Sequence, residues 1–329
     1  MKIIQRSINI DFDFKTKYLL EEICFMDIET TGLHKKFHQI YLIGILIYNY
    51  KTTLWQLTQF FSESNLEEET ILKEYVNKIK NYKYLITYNG DNFDIPFINE
   101  KLKKYNVTEV KIESIDLYKF LRKNKDFIDL PNLKLKTIEK ELGIYREDTF
   151  SGLECIEFYK NYLITKSENF LNYIIKHNHD DLASMPKLLR IFQLIEENQT
   201  IELYFHNTPV FLKLTDITQS GDLIIVKGKW NDSLNYSSEY YNRFYSINLS
   251  KNADFQFKIE VKKAKLEDQV IAYYVNINEL MLNTTIKDIS GHNPPNDILI
   301  LKVNKKNISN NIKNLIKALL ENENLNFNA

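Results

Sequence analysis

The chain has 329 residues, 44% of them hydrophobic and 26% charged, with 43 Lys and Arg against 44 Asp and Glu. That is the composition of a folded protein of about two domains, and its net charge of −1 excludes binding nucleic acid through a basic tail. Eight glycines without a GxxxxGKS/T or GxGxxG run exclude the phosphate loops of nucleoside triphosphatases and dinucleotide enzymes, and two cysteines exclude a disulfide framework or a four-thiolate zinc site.

The N-terminal segment carries charges such as Arg6 and Asp11 and does not read as a signal peptide. The longest apolar run, Tyr41 to Tyr48, is too short to span a membrane. A cytoplasmic location is expected. Residues 23–61 predict strands: a short apolar run ICFMDI, an unbroken one QIYLIGILIYNY, and an alternating TTLWQLTQFF that pairs with it across a turn. Helical spacing covers 67–82, with acids in its first turn. Residues 83–88 predict a buried strand closed by Asn89-Gly90. Helices are expected at 95–105, 114–124, 134–142, 151–162 and 167–196. Strands alternating with helices make an α/β sheet domain, placed at 1–198. From about residue 199 the chain is strand-like, with runs such as IELYFH, DLIIVKGKW and FQFKIEV, then ILILKV and a last helix near 307–322. This predicts a β-rich (α+β) second domain at 199–329. Its aromatics, such as Trp230, Tyr241 and Tyr245, would suit stacking on single-stranded nucleic acid beside Lys227 and Lys229, but a β-domain core needs aromatics anyway.

Three segments carry chemistry. In Phe25-Met26-Asp27-Ile28-Glu29-Thr30-Thr31-Gly32-Leu33, the two acids stand at i and i+2 of a strand and face one side. Side-by-side carboxylates in an apolar strand repel unless a cation sits between them, and hard oxygen ligands suit Mg²⁺ or Mn²⁺. In Tyr88-Asn89-Gly90-Asp91-Asn92-Phe93-Asp94, a strand ends in a tight turn; Asp94 taken alone reads as a helix cap. In His177-Asn178-His179-Asp180-Asp181, within a helix, Asp181 shares the apolar face of Ile174, Met185 and Leu188, and His177 lies one turn before it on that face. Asp180 and His179 point elsewhere, with Asp180 the more exposed acid.

Taken in order, these segments resemble the three exonuclease motifs of the DEDD superfamily of 3′–5′ exonucleases, and within it the YprB-type group. The similarity extends over about residues 20–195 and includes Leu130-Pro131-Asn132-Leu133, Glu141-Leu142-Gly143-Ile144 and Ser151-Gly152. It implies a ribonuclease H-like five-stranded mixed sheet flanked by helices. It also implies a phosphodiester hydrolase acting on DNA or RNA with two divalent cations, Mg²⁺ or Mn²⁺, held by Asp27, Glu29, Asp94 and Asp181. His177 would be the general base, although the family's His stands five positions before the last Asp and its Tyr four. Here a His takes the Tyr offset. By the same resemblance, Thr30, Thr31, Gly32 and Leu33 would hold the terminal nucleotide and Asn89 would support the second motif. The implied partner is a nucleic acid with a free 3′ end, single-stranded for preference. The local excess of ten Lys and Arg over five acids in 101–136 reads either as solvated helix faces or, since it follows the second motif, as a surface along the substrate path.

A proofreading module acting in trans beside a polymerase is one alternative, since the roughly 130 residues after the first domain are too few for a polymerase; two other readings compete with it. One is a catalytically silent nucleic-acid-binding module, which the retention of all four acids disfavours. The other is an HD-type phosphohydrolase built on His179-Asp180 with His34 or His38 and Asp216, which the strands at 23–61 disfavour.

Overall fold

The computed structural model describes residues 1–322 apart from 12–17, 147–149, 206–207, 232–236, 268 and 283. The chain forms two compact units, residues 1–123 with 130–193 and residues 124–129 with 194–329.

The first unit is built on one mixed sheet. In chain order it contains β1 (Lys2–Ile8), β2 (Ile23–Thr30), β3 (Ile40–Asn49), β4 (Leu54–Phe61), α1 (Glu68–Ile79), β5 (Tyr84–Thr87), α2 (Asp94–Lys104), β6 (Glu113–Asp116), α3 (Leu117–Lys123), α4 (Leu135–Glu141), α5 (Gly152–Thr165) and α6 (Glu168–Leu188). The strand order is β1-β4-β3-β2-β5-β6. The first four strands pair antiparallel, while β2, β5 and β6 run parallel.

The expected five-stranded sheet therefore has six strands. The additional strand is β1, whose Gln5, Arg6 and Ser7 are exposed, as an edge strand tolerates. The core forms on both faces of the sheet. Even residues of β2 (Cys24, Met26, Ile28) pack with Ile71 and Leu72 of α1 and Phe97 and Ile98 of α2. Tyr41, Leu42 and Phe61 pack on the other side with Tyr159 of α5 and Leu171 and Ile174 of α6. Helix α5 begins at a capping box: Ser151 Oγ accepts the Glu154 N–H, and the Glu154 carboxylate accepts the Ser151 N–H.

The helix expected over 167–196 ends at Leu188, just after Pro186, and a separate α7 (Arg190–Gln199) follows. Both the break between the units at 193/194 and the compositional boundary at 198/199 fall within α7. The sheet-based first unit removes the all-helical HD reading.

The second unit has an antiparallel sheet of β7 (Thr200–Phe205), β8 (Thr208–Ser220), β9 (Leu223–Trp230), β10 (Ser238–Tyr241), β11 (Tyr245–Leu249) and β12 (Asp254–Glu260), ordered β10-β11-β12-β9-β8-β7. A second sheet joins β13 (Lys262–Glu267), β14 (Val270–Asn276), β15 (Ile298–Val303) and β16 (Lys306–Asn307), and α8 (Ser309–Asn322) ends the described chain. His206 of the expected strand IELYFH lies outside the described residues. Trp230 and Tyr245 are buried with Phe255 and Phe257, so these aromatics serve the core; Lys227 and Lys229 face outward and Tyr241 is exposed. No helix among the described residues is long and apolar enough to cross a membrane.

Candidate active site

The site forms where β2 outruns its parallel neighbour. Pairing of β2 with β5 covers only Ile23 to Phe25, which leaves the far end of that edge open. Asp94, the first residue of α2, closes it by accepting the Ile28 N–H at 3.2 Å. The side chain thus bonds across to β2, and the residue in the N-cap position is Phe93, so the simple cap reading is replaced. Across β2, Asp27 pairs in register with Gly44 of β3. A Cβ at Gly44 would stand 2.2 Å from Asn178 Oδ1 and 2.4 Å from Leu182 Cδ1, so only glycine lets α6 lie this close to the sheet.

That close approach brings α6 onto the acids. Asn178 donates to Asp27 Oδ2 at 2.7 Å and is itself held by Gln59, whose amide donates to Asn178 Oδ1 at 2.8 Å. His177 Nε2 lies 3.8 Å from both Glu29 Oε1 and Asp181 Oδ2. A Glu29 oxygen, Cys155 Sγ and a His177 ring nitrogen all lie within 4.8 Å of one another. Asp181 is divided: Oδ2 faces His177, while Oδ1 is paired with the guanidinium of Arg146, whose other amino group pairs with buried Glu139.

Burial and like charge dominate the electrostatics. Burial pushes the Asp27 carboxyl well above the usual range, and the charges of Asp181, Asp94 and Glu29 push it further; the Asn178 bond only partly offsets this. Asp94 is pushed up to about 7, first by burial and then by the charges of Asp116 and Asp181, against the N–H bonds from its own backbone and Ile28.

The structure brings Asp27, Glu29, Asp94, Asp181 and His177 into one cluster. The expected contrast in exposure between the neighbouring aspartates is absent, since Asp181 and Asp180 side chains are 16% and 13% exposed. Their partners differ instead, because Asp180 bonds His179 at 2.8 Å. In the loop after β2, the Thr31 N–H donates to Gln39 O and the Thr30 hydroxyl to Gly32 O. The Leu33 side chain stands exposed beyond them. Asn89 adopts a left-handed φ of 64°, and its N–H donates to Asp116 Oδ1.

Sequence reasoning missed Gln59, Asn178, Glu139, Arg146, Asp116 and Cys155. The lone glycine inside an apolar strand was the available signal for Asn178. Arg146 and Glu139 carry none, because a loop residue meets a helix residue only after folding.

Part of the basic segment is engaged within the fold. Lys101 is buried beside Glu68 at 3.9 Å, and Lys104 reaches the same carboxylate at 3.3 Å, which takes both off the expected substrate path.

Residues 24–193 match the family model described as the RNase_H superfamily. A PolC-type DNA polymerase III of Ureaplasma parvum is 34% identical over 110 residues, which is 27% of this chain and 8% of the polymerase. The chain thus spans under a tenth of that relative's length. A family B DNA polymerase of Pyrobaculum calidifontis is 14% identical at a TM-score of 0.40, over 52% of this chain and 24% of that one. E. coli exonuclease I in complex with a dA16 oligonucleotide is 10% identical at a TM-score of 0.38, over 63% of this chain and 54% of that one.

Proposed function

The chain belongs to the ribonuclease H superfamily, and from that premise we propose that it is a metal-dependent 3′–5′ exonuclease of the DEDD type, nearest in its motifs to the YprB-type group. The observation that carries this reading is the gathering of Asp27, Glu29, Asp94 and Asp181, with His177 3.8 Å from Glu29 and Asp181 and with Asp27 and Asp94 driven toward neutrality by burial and neighbouring acids.

Such a cluster fits divalent cations. Its donors are hard carboxylate oxygens, which suit Mg²⁺ or Mn²⁺, and its uncompensated charge favours a cation from outside. Asp27, Glu29, Asp94 and Asp181 would hold two ions. When bound, such a pair supplies activation of the attacking water and charge stabilisation at the leaving 3′-oxygen.

The chain's own residues do the rest. His177, between Glu29 and Asp181, accepts the proton of the attacking water. Arg146 holds Asp181 Oδ1, so that Oδ2 stays turned toward the cluster. Asn178, braced by Gln59, fixes the Asp27 carboxylate. Leu33, exposed beyond the loop of Thr30, Thr31 and Gly32, offers an apolar contact to the terminal base, and Asn89 ties the second motif to Asp116. The substrate is a nucleic acid with a free 3′ end.

Digestion of matched 3′- and 5′-labelled single- and double-stranded DNA and RNA with Mg²⁺ or Mn²⁺ tests this. A ladder receding from the 3′ end is expected. No cleavage of any substrate with either metal would sink the enzyme reading and leave a binding module.

A further inference from the structure

A cavity of about 610 Å³ opens beside the carboxylate cluster, lined among others by Arg6 of β1, Arg146 of the loop before α5, and Lys176, Asp180 and Lys187 of α6. The three α6 positions recur at helical spacing and share one face. That face adjoins the one bearing His177 and Asp181, because each residue turns an α-helix by about 100°. Arg146 bridges the two faces: it lines the cavity while its guanidinium pairs with Asp181 Oδ1 and Glu139.

We propose that this cavity is a phosphate-binding subsite for the strand of a nucleic acid, joined to the metal-binding acids through Arg146. The proposal rests on the nuclease reading. Its own support is that Arg6 of β1 and Lys176 and Lys187 of α6 line one concavity with the single lining carboxylate of Asp180, while Arg146, whose charge is already shared by Asp181 and Glu139, ties that concavity to the acids. Arg146 reaches both Asp181 and this concavity, so a strand whose scissile phosphate meets Asp181 can lay a neighbouring phosphate against this face. Of the lysines after the second motif, Lys101 and Lys104 are committed to Glu68 and do not fill that role. Lys176 is exposed and Lys187 half-exposed, so their ammonium groups can meet a phosphate at little desolvation cost.

The test is the salt dependence of oligonucleotide binding, followed by fluorescence anisotropy on the full chain in EDTA, so that binding is read whether or not the protein cleaves. The variant Lys176→Ala/Lys187→Ala should bind a labelled single-stranded oligonucleotide roughly three- to tenfold more weakly at low salt. Its slope of log K against log salt should be shallower by about 1.4, or about 0.7 for each lost phosphate contact. Lys73→Ala, an exposed lysine of α1 paired with Glu69, should keep the wild-type slope. A wild-type slope in the double variant overturns the subsite, as does a wild-type protein that binds no oligonucleotide. Binding that weakens as expected, in a protein that cleaves nothing with either metal, sustains the subsite and removes the nuclease reading instead.

Discussion

Two buried acidic centres in the first unit meet opposite treatment. Glu68 of α1 is 2% exposed and fully answered: Oε1 accepts the Ile40 N–H at 2.8 Å with Lys101 at 3.9 Å, and Oε2 accepts the Tyr105 hydroxyl at 2.8 Å and Lys104 at 3.3 Å. At the end of β2, Asp27 receives one side-chain amide and Asp94 two backbone N–H groups, while three further acids raise the field around Asp27. Where an acid holds elements together, the fold supplies cations and hydrogen bonds; where acids gather with fewer of them, the cluster is suited to a cation from solution. Among the described residues, the cation of the second centre is Arg146, which pairs with Asp181 Oδ1 and with Glu139.

The sharpest way to break this comparison is to neutralise one acid in each centre. Asp27→Asn should lower single-turnover cleavage by a hundredfold or more, about 3 kcal/mol of transition-state stabilisation. The same variant without metal should melt higher than wild type, because it removes an ionisable carboxyl that burial and the neighbouring acids disfavour. Undiminished cleavage would take Asp27 out of the metal set. Glu68→Gln should do the reverse. It leaves the Lys101 ammonium buried without its main partner, at a cost of about 3 kcal/mol, the low end for a broken buried pair because the Glu100 charge also acts on Lys101. Urea unfolding measures that loss, and cleavage per folded molecule should stay within about twofold. A Glu68 variant as stable as wild type would mean that the seam between α1 and α2 does not depend on its charges.

How much of this was legible in the sequence follows from which residues obey local rules. Asp27 and Glu29 at i and i+2 of a strand, and His177 and Asp181 at i and i+4 of a helix, share faces by backbone geometry alone, so their meeting could be read directly. The helix expected at 114–124 begins instead with β6, Glu113–Asp116, because ESID has too short an apolar run to announce a strand and takes its place by pairing with β5. Edge strand β1 was hidden by its polar residues, and β13 (KKAKLE) by its lysines. The long helix of 167–196 broke near Pro186, a residue whose effect on the backbone was there to be read. The bracing of the site was least legible: the Gln59–Asn178–Asp27 relay and the Arg146–Asp181 pair join residues 35 to 151 positions apart, which no period encodes.

A third prediction sharpens the contrast through pH. The folded chain holds a proton on Asp94 up to about pH 7, whereas the unfolded chain releases it near the ordinary carboxylate value. Between those values the native state binds more protons, so metal-free stability should fall as pH rises. From about pH 5.5 to about pH 8 this single group accounts for a loss of about 2 kcal/mol, and Asp27 acts in the same direction. Millimolar Mn²⁺ should flatten the decline, since a bound cation favours the ionised carboxylates. Differential scanning calorimetry across that range, with and without metal, reads both effects. Metal-free stability that climbs with pH would contradict the assigned repulsion.

The smallest expected effect decides which member of the Glu68 centre carries the compensation. Lys104 is 48% exposed, so its pairing with Glu68 is screened by water, and the Tyr105 hydroxyl still bonds the same oxygen when the lysine is gone. Lys104→Ala should therefore cost less than about 1 kcal/mol, against about 3 kcal/mol for Glu68→Gln. The difference isolates Lys101, 2% exposed, as the cation that burial makes expensive to abandon. The variant also tests the older expectation that this basic segment follows the substrate. A lysine held by a structural carboxylate releases no counterions when a strand binds, so the salt slope of oligonucleotide binding should stay at the wild-type value. If Lys104→Ala flattened that slope as much as the paired α6 substitutions, the strand would run along α2 as well. The seam would then serve binding as well as structure, and the line between the two acidic centres would move.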